Sequence, residues 1–170
     1  MEKYMKAVLY AYPLLKTVEE DYAEHIRNKA LLSYNSRLTT QELAEYLAEE
    51  ILHKNRLSWL KAVVEQTLAR LSETERTLLE IRYFGKKRKL RFYSNEQTEN
   101  NGEACFVWSE RKYFRMQQKV GEKVSAMLKV AGVTKPVFER ELAEIDIFRK
   151  VLRYIERTEG DGEIGYSSVS

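Results

Sequence analysis

Arg111, Arg115 and Gln118 stand four and three residues apart in a segment of helical character, and their side chains are of the kinds that read base edges in duplex DNA. An Arg fork can donate two hydrogen bonds to guanine O6 and N7. A Gln carboxamide can pair with adenine N6 and N7, and Lys can neutralise phosphate. At about 100° per residue the three fall on one side of a helix over 110–131, with Phe114 and Lys119 at the flanks. Tyr113, Met116, Val120, Val124, Met127 and Ala131 form the opposite stripe, expected to be buried. A solvated face rich in Arg, Lys and Gln is the alternative that spacing alone leaves open.

Charge is concentrated around this segment. Residues 82–123 hold eleven Lys and Arg (Arg82, Lys86, Lys87, Arg88, Lys89, Arg91, Arg111, Lys112, Arg115, Lys119, Lys123) against five Glu, whereas the whole chain carries only +3. The remainder is therefore net negative. The run Gly85-Lys86-Lys87-Arg88-Lys89-Leu90-Arg91, interleaved with Phe84, Phe92 and Tyr93, could track phosphates or enter a groove as a wing does. A charged loop kept soluble by its lysines is the competing reading.

Other chemistry finds little footing. Cys105 is the only cysteine and the two histidines, His25 and His53, lie in amphipathic stretches far from it, so neither a disulfide nor a zinc site is expected. No glycine-rich phosphate cradle and no Ser/His/Asp or Cys/His set can be assembled. The sequence implies no catalysis, no cofactor and no metal. With 44% hydrophobic and 32% charged residues, seven Gly and two Pro, the composition is that of a soluble helical protein, and a reducing cytoplasmic setting is expected. The apolar run from Ala7 to Leu15 follows Lys3 and Lys6, but Tyr10, Tyr12 and Pro13 and the lack of a small-residue cleavage site argue for a helix rather than a signal peptide. No run approaches the roughly 20 apolar residues needed to span a bilayer.

Two stretches together carry a family likeness: Leu71-Ser72-Glu73-Thr74-Glu75-Arg76-Thr77-Leu78-Leu79-Glu80-Ile81-Arg82-Tyr83-Phe84-Gly85, and Ser109-Glu110-Arg111-Lys112-Tyr113-Phe114-Arg115-Met116-Gln117-Gln118-Lys119. They resemble the two ends of the promoter-reading helix-turn-helix domain, region 4, of bacterial sigma factors. Leu71, Glu75, Arg76, Leu79, Arg82 and Tyr83 match the opening helix. Tyr113 and Met116 stand where the family buries Val and Ile, and Lys119, Val120, Lys123 and Val124 match its closing positions. The family's middle, positioning helix has no counterpart, because Lys86 to Trp108 is basic and polar without helical periodicity. Nor does the N-terminal half resemble the sigma region that binds the polymerase clamp and melts DNA.

The likeness implies an all-α fold, a helical bundle carrying a variant helix-turn-helix over 71–132. It also implies duplex DNA as partner, with Arg111, Lys112, Phe114, Arg115, Gln118, Lys119 and Lys123 on the reading helix and Lys86, Lys87, Arg88, Lys89 and Arg91 in the basic run. A transcription regulator of the phage or mobile-element type, with RNA polymerase as a second partner, fits this pattern. The rivals are a non-enzymatic adaptor that contacts polymerase or an acidic partner and has lost DNA binding, and RNA binding through the basic loop and its aromatics.

The elements that must position these residues are legible by period and punctuation. Met5, Val8, Leu9, Tyr12, Leu15, Val18, Tyr22, Ile26 and Ala30 predict one helix over 3–33, bent or restarted at Pro13. Thr39 and Glu42 have capping-box spacing before a helix with Leu43, Ala44, Leu47, Ile51 and Leu52 on one face, ended at Asn55. A further helix over 57–71 buries Leu60, Val63, Val64, Thr67, Leu68 and Leu71, which completes an N-terminal region over 1–70. Ser72 and Glu75 repeat the box. Within 86–108, Lys89–Tyr93 and Ala104–Trp108 flank a polar tip with Asn101-Gly102, which favours a basic β-hairpin or ordered loop over a helix, with a disordered insertion rich in Glu, Gln and Asn as the alternative. Ser109 caps the 110–131 helix, Gly132 ends it, and Pro136 opens a single last helix within 133–158. Residues 159–170 are expected to be a disordered tail.

Overall fold

The computed structural model describes residues 1–32, 37–85, 90–92 and 106–163, and the fold is all-helical in character. Among the described residues six helices run α1 (Lys3–Leu31), α2 (Thr40–Ala69), α3 (Glu73–Tyr83), α4 (Glu110–Val130), α5 (Lys135–Glu141) and α6 (Asp146–Glu163). Two three-residue strands, β1 (Leu90–Phe92) and β2 (Phe106–Trp108), lie between α3 and α4.

The helix starts are made by local chemistry. At α2 the Thr39 amide donates to the Glu42 carboxylate at 2.7 Å, and the Glu42 amide donates to Thr39 Oγ1 at 3.2 Å. Ser72 and Glu75 do the same at α3, at 2.9 and 3.3 Å. Each box satisfies two amides that lack a partner within the helix. Ser72→Ala is therefore expected to lower stability by about 1 kcal/mol in urea melts. Arg76, one turn on, sends Nη2 to the Leu68 carbonyl at 3.0 Å, so the motif's arginine closes the end of α2 rather than facing solvent chemistry. At the other end of the reading segment, Val133 N–H bonds Leu128 O and Gly132 N–H bonds Lys129 O, with Gly132 at φ 95°. This is a Schellman termination, and it swings Val133 into the core.

The core gathers the N-terminal half of α1 (Tyr4, Met5, Ala7, Val8, Leu9, Ala11, Leu15), the C-terminal half of α2 (Leu57, Leu60, Val63, Val64, Thr67, Leu68) and the inward faces of α3 to α6. Beyond Leu15 in α1 and before Leu57 in α2 no described residue is buried. These two half-helices pair as a hairpin-like arm that leaves Leu31, Leu32, Leu38, Ile51 and Leu52 exposed.

Four expectations change in the structure. First, Asn55 does not end a helix. α2 runs 30 residues without a break, because Leu43, Leu47, Glu50, His53 and Leu57 continue one stripe in phase with Leu60 and Val64, and one Asn costs a helix only about 0.7 kcal/mol. Ile51 and Leu52 consequently point outward, at 43% and 59% exposure. Second, the last helix is two. Phe138 and Phe148 would lie about 15 Å apart along one helix at 1.5 Å per residue, but the turn at 142–145 brings their rings to 5.3 Å, edge-on. Third, residues 159–163 are helical, and Glu159 pairs with Lys6 of α1; residues 164–170 lie outside the described residues. Fourth, β1 and β2 are not the arms of a hairpin. They pair in parallel, Leu90 opposite Phe106 and Phe92 opposite Trp108, an arrangement that needs a long return connection, here residues 93–105. That connection, with Asn101 and Gly102, lies outside the described residues.

Candidate nucleic-acid interface

The rotation of α4 is set by its seam with α3. Tyr113 is 5% and Gln117 8% exposed, and with Val120, Val124 and Leu128 they form the buried arc. Gln117 Nε2 donates to the Leu78 carbonyl of α3 at 2.5 Å and to Tyr113 Oη at 3.2 Å, so a buried amide is satisfied on two sides. Burial holds the Tyr113 phenol above its ordinary value despite that hydrogen bond. On the seam's outer edge the Lys123 ammonium lies 2.8 Å from both carboxylate oxygens of Glu75. The hydrogen bond from Lys123, then that from the Ser72 amide, hold Glu75 below the usual carboxylate range. A depressed folded-state value means this pair stabilises the fold at neutral pH and loses its contribution as the solution is acidified through that value.

The buried stripe is thus turned slightly from the one expected. Met116 and Met127 are only half-buried and Ala131 is exposed, while Gln117, Gly121 and Leu128 are inside. The cause is Gln117. Apolar periodicity gives no weight to a polar side chain, although its place in the 113–117–120–124 series is the signal that would have found it.

With α4 so fixed, Arg111, Lys112, Phe114, Arg115, Gln118 and Lys119 are all exposed. The structure therefore brings six of the seven expected reading residues of α4 to one solvent face, all but Lys123. Three of the seven already have partners. Lys112 Nζ sits 4.8 Å over the Trp108 ring, Gln118 Nε2 donates to Glu122 at 3.0 Å, and Lys123 is held by Glu75. Gln118 must exchange Glu122 for a base to read adenine, and Lys123 belongs to the seam more than to the open face. Lys86, Lys87, Arg88 and Lys89 lie outside the described residues, and Arg91 is placed by its backbone pairing with Val107.

A groove of about 800 Å³ runs beside this face, with Phe114 and Gln118 on its α4 side and Arg82 and Tyr83 of α3 opposite. Lys6 and Lys129 also line it but are bound to Glu159 and Glu2. Arg82 is different, because its guanidinium rests 5.8 Å from the Tyr83 ring and forms no ion pair among the described residues. Charge counting places Arg82 in the basic segment; only the packing of α3 on α4 sets it on the rim across the groove from Phe114. The histidines stay apart from all this: His25 Nε2 is 2.6 Å from Tyr46 Oη, and His53 faces Glu50 at 4.0 Å. Among the described residues no group of three His, Cys, Asp or Glu could hold a metal, and no helix is long and apolar enough to cross a membrane. Cys105 lies outside the described residues. Compared with known proteins, the chain matches no family model, no curated protein and no solved structure.

Proposed function

We propose that the protein is a non-enzymatic, sigma-like regulator of transcription that binds duplex DNA in the cytoplasm by laying the first turns of α4 in the major groove. The observation that carries this reading is the single exposed face of Arg111, Lys112, Phe114, Arg115, Gln118 and Lys119 on a helix anchored from behind by Tyr113, Gln117 and Val120. A groove-reading helix must be anchored and chemically two-faced, and α4 has a buried seam behind its polar face. Arg82 on the rim and the basic run 86–91 supply further phosphate contacts, and RNA polymerase is the expected second partner.

Binding carried by phosphate neutralisation weakens steeply with salt. Six phosphate contacts would lower affinity about a thousandfold between roughly 50 and 200 mM salt in a titration against mixed duplex DNA. On a selected site, Arg115→Ala is expected to cost about 1–3 kcal/mol and relax preference at one base pair, while Lys119→Ala weakens specific and random duplexes alike. Equal losses on both duplexes for Arg115→Ala would remove the assignment of base readout to Arg115.

One observation favours a second reading. The arm formed by the distal halves of α1 and α2 exposes Leu31, Leu32, Ile51 and Leu52, apolar surface suited to a protein partner. If no duplex is bound even at the lowest salt, an adaptor that works through this arm is the better account.

A further inference from the structure

The DNA-facing surface of α4 contains one group with no use in phosphate or hydrogen-bond recognition. Phe114 is 56% exposed at the edge of a cationic face, with Arg111 one turn before it, Gln118 one turn after it and Arg115 beside it. Its ring is braced on one side. It stands edge-on to the buried Tyr113 ring at 5.3 Å and 71°, and Tyr113 is in turn held by Gln117, which is fixed to Leu78.

We propose that Phe114 reads the 5-methyl group of a pyrimidine in the major groove, which makes it a specificity-determining residue of the interface; the inference rests on the duplex-DNA reading above. The argument is one of elimination by chemistry. Base edges in the major groove offer donors and acceptors to Arg111, Arg115 and Gln118, but only one apolar group, the methyl at C5 of thymine, which 5-methylcytosine shares. A phenyl ring has only two side-chain torsions to fix when it meets that methyl, and contact removes apolar surface of both from water. Gln118 and Phe114 lie about 6 Å apart along the helix. An A·T pair displays both the adenine edge suited to one and the methyl suited to the other, so the two side chains select the same kind of step.

The test uses the full chain and a duplex obtained by selection, with each thymine in turn replaced by deoxyuridine, which removes the methyl and nothing else. Binding is read by fluorescence anisotropy. The parent protein is expected to lose about fourfold in affinity at one or two adjacent positions, the value of one buried methyl-sized group. Phe114→Ala should bind thymine and uracil equally there, whereas Phe114→Leu, which keeps apolar surface, should still discriminate. Both variants should melt like the parent, because the ring is exposed. Uniform tolerance of uracil by the parent overturns the methyl assignment and leaves DNA binding standing. Discrimination that persists in Phe114→Ala overturns it as well, by assigning the methyl to another side chain. Failure of the parent to bind any duplex overturns the DNA reading and this inference together.

Discussion

Tyr113→Ala is expected to destabilise the protein by about 3–5 kcal/mol, the range for truncating a large aromatic in a core. Tyr113 is 5% exposed, packs edge-on against Phe114 and receives the Gln117 amide on its hydroxyl. Removing the ring leaves a cavity in the seam that fixes α4. Arg111, two residues away and exposed, should change stability by no more than about 0.5 kcal/mol when cut to Ala. Tyr113→Phe separates packing from hydrogen bonding, and a loss of only about 1 kcal/mol would leave most of the effect with the ring. Urea melts read all three. A larger loss for Arg111→Ala than for Tyr113→Ala would mean that α4 is rotated, with the supposed reading face inward.

The largest effect on binding should come from the basic run. Exchange of Lys86, Lys87, Arg88 and Lys89 for Gln removes four positive charges, and each one that contacts phosphate contributes about 0.9 to the slope of log affinity against log salt. The slope should therefore fall by up to roughly 3.6. An unchanged melting temperature would show that the fold is intact. An unchanged slope would assign the run to solvent and leave α4 with Arg82 as the whole electrostatic footprint.

What was legible in the sequence was what is decided within a turn or two of chain. Thr39 with Glu42, Ser72 with Glu75, Ser109, and Gly132 with its positive φ mark helix ends by their own side-chain or backbone chemistry, and the structure places those ends within a residue or two of the expected positions. The exposed face of Arg111, Arg115 and Gln118 followed from helical period alone. What escaped is decided by partners distant in sequence. Asn55 is overridden by the stripe that α2 lays on the core, and the bend at 142–145 exists so that Phe138 and Phe148 can meet. Lys123 looks like a free cation until α3 brings Glu75 to it across 48 residues. Gln118 is the intermediate case, since Glu122 sits at i+4 and an amide–carboxylate pair of that spacing is foreseeable.

The closing of the core by α6 on α1 has a consequence in time. Lys3 and Glu156 form an ion pair across 153 residues, and Tyr4 lays its ring on Phe138. A ribosome adding about 5–20 residues per second needs on the order of 8–30 s to deliver the last of these partners. For much of that interval Met5, Val8, Leu9 and Leu15 can pack only on α2, whose buried half ends at Leu68. The side of α1 that meets α6, with Lys3, Lys6 and Tyr10, therefore stays open until α6 has been synthesised, and the seam closes only then.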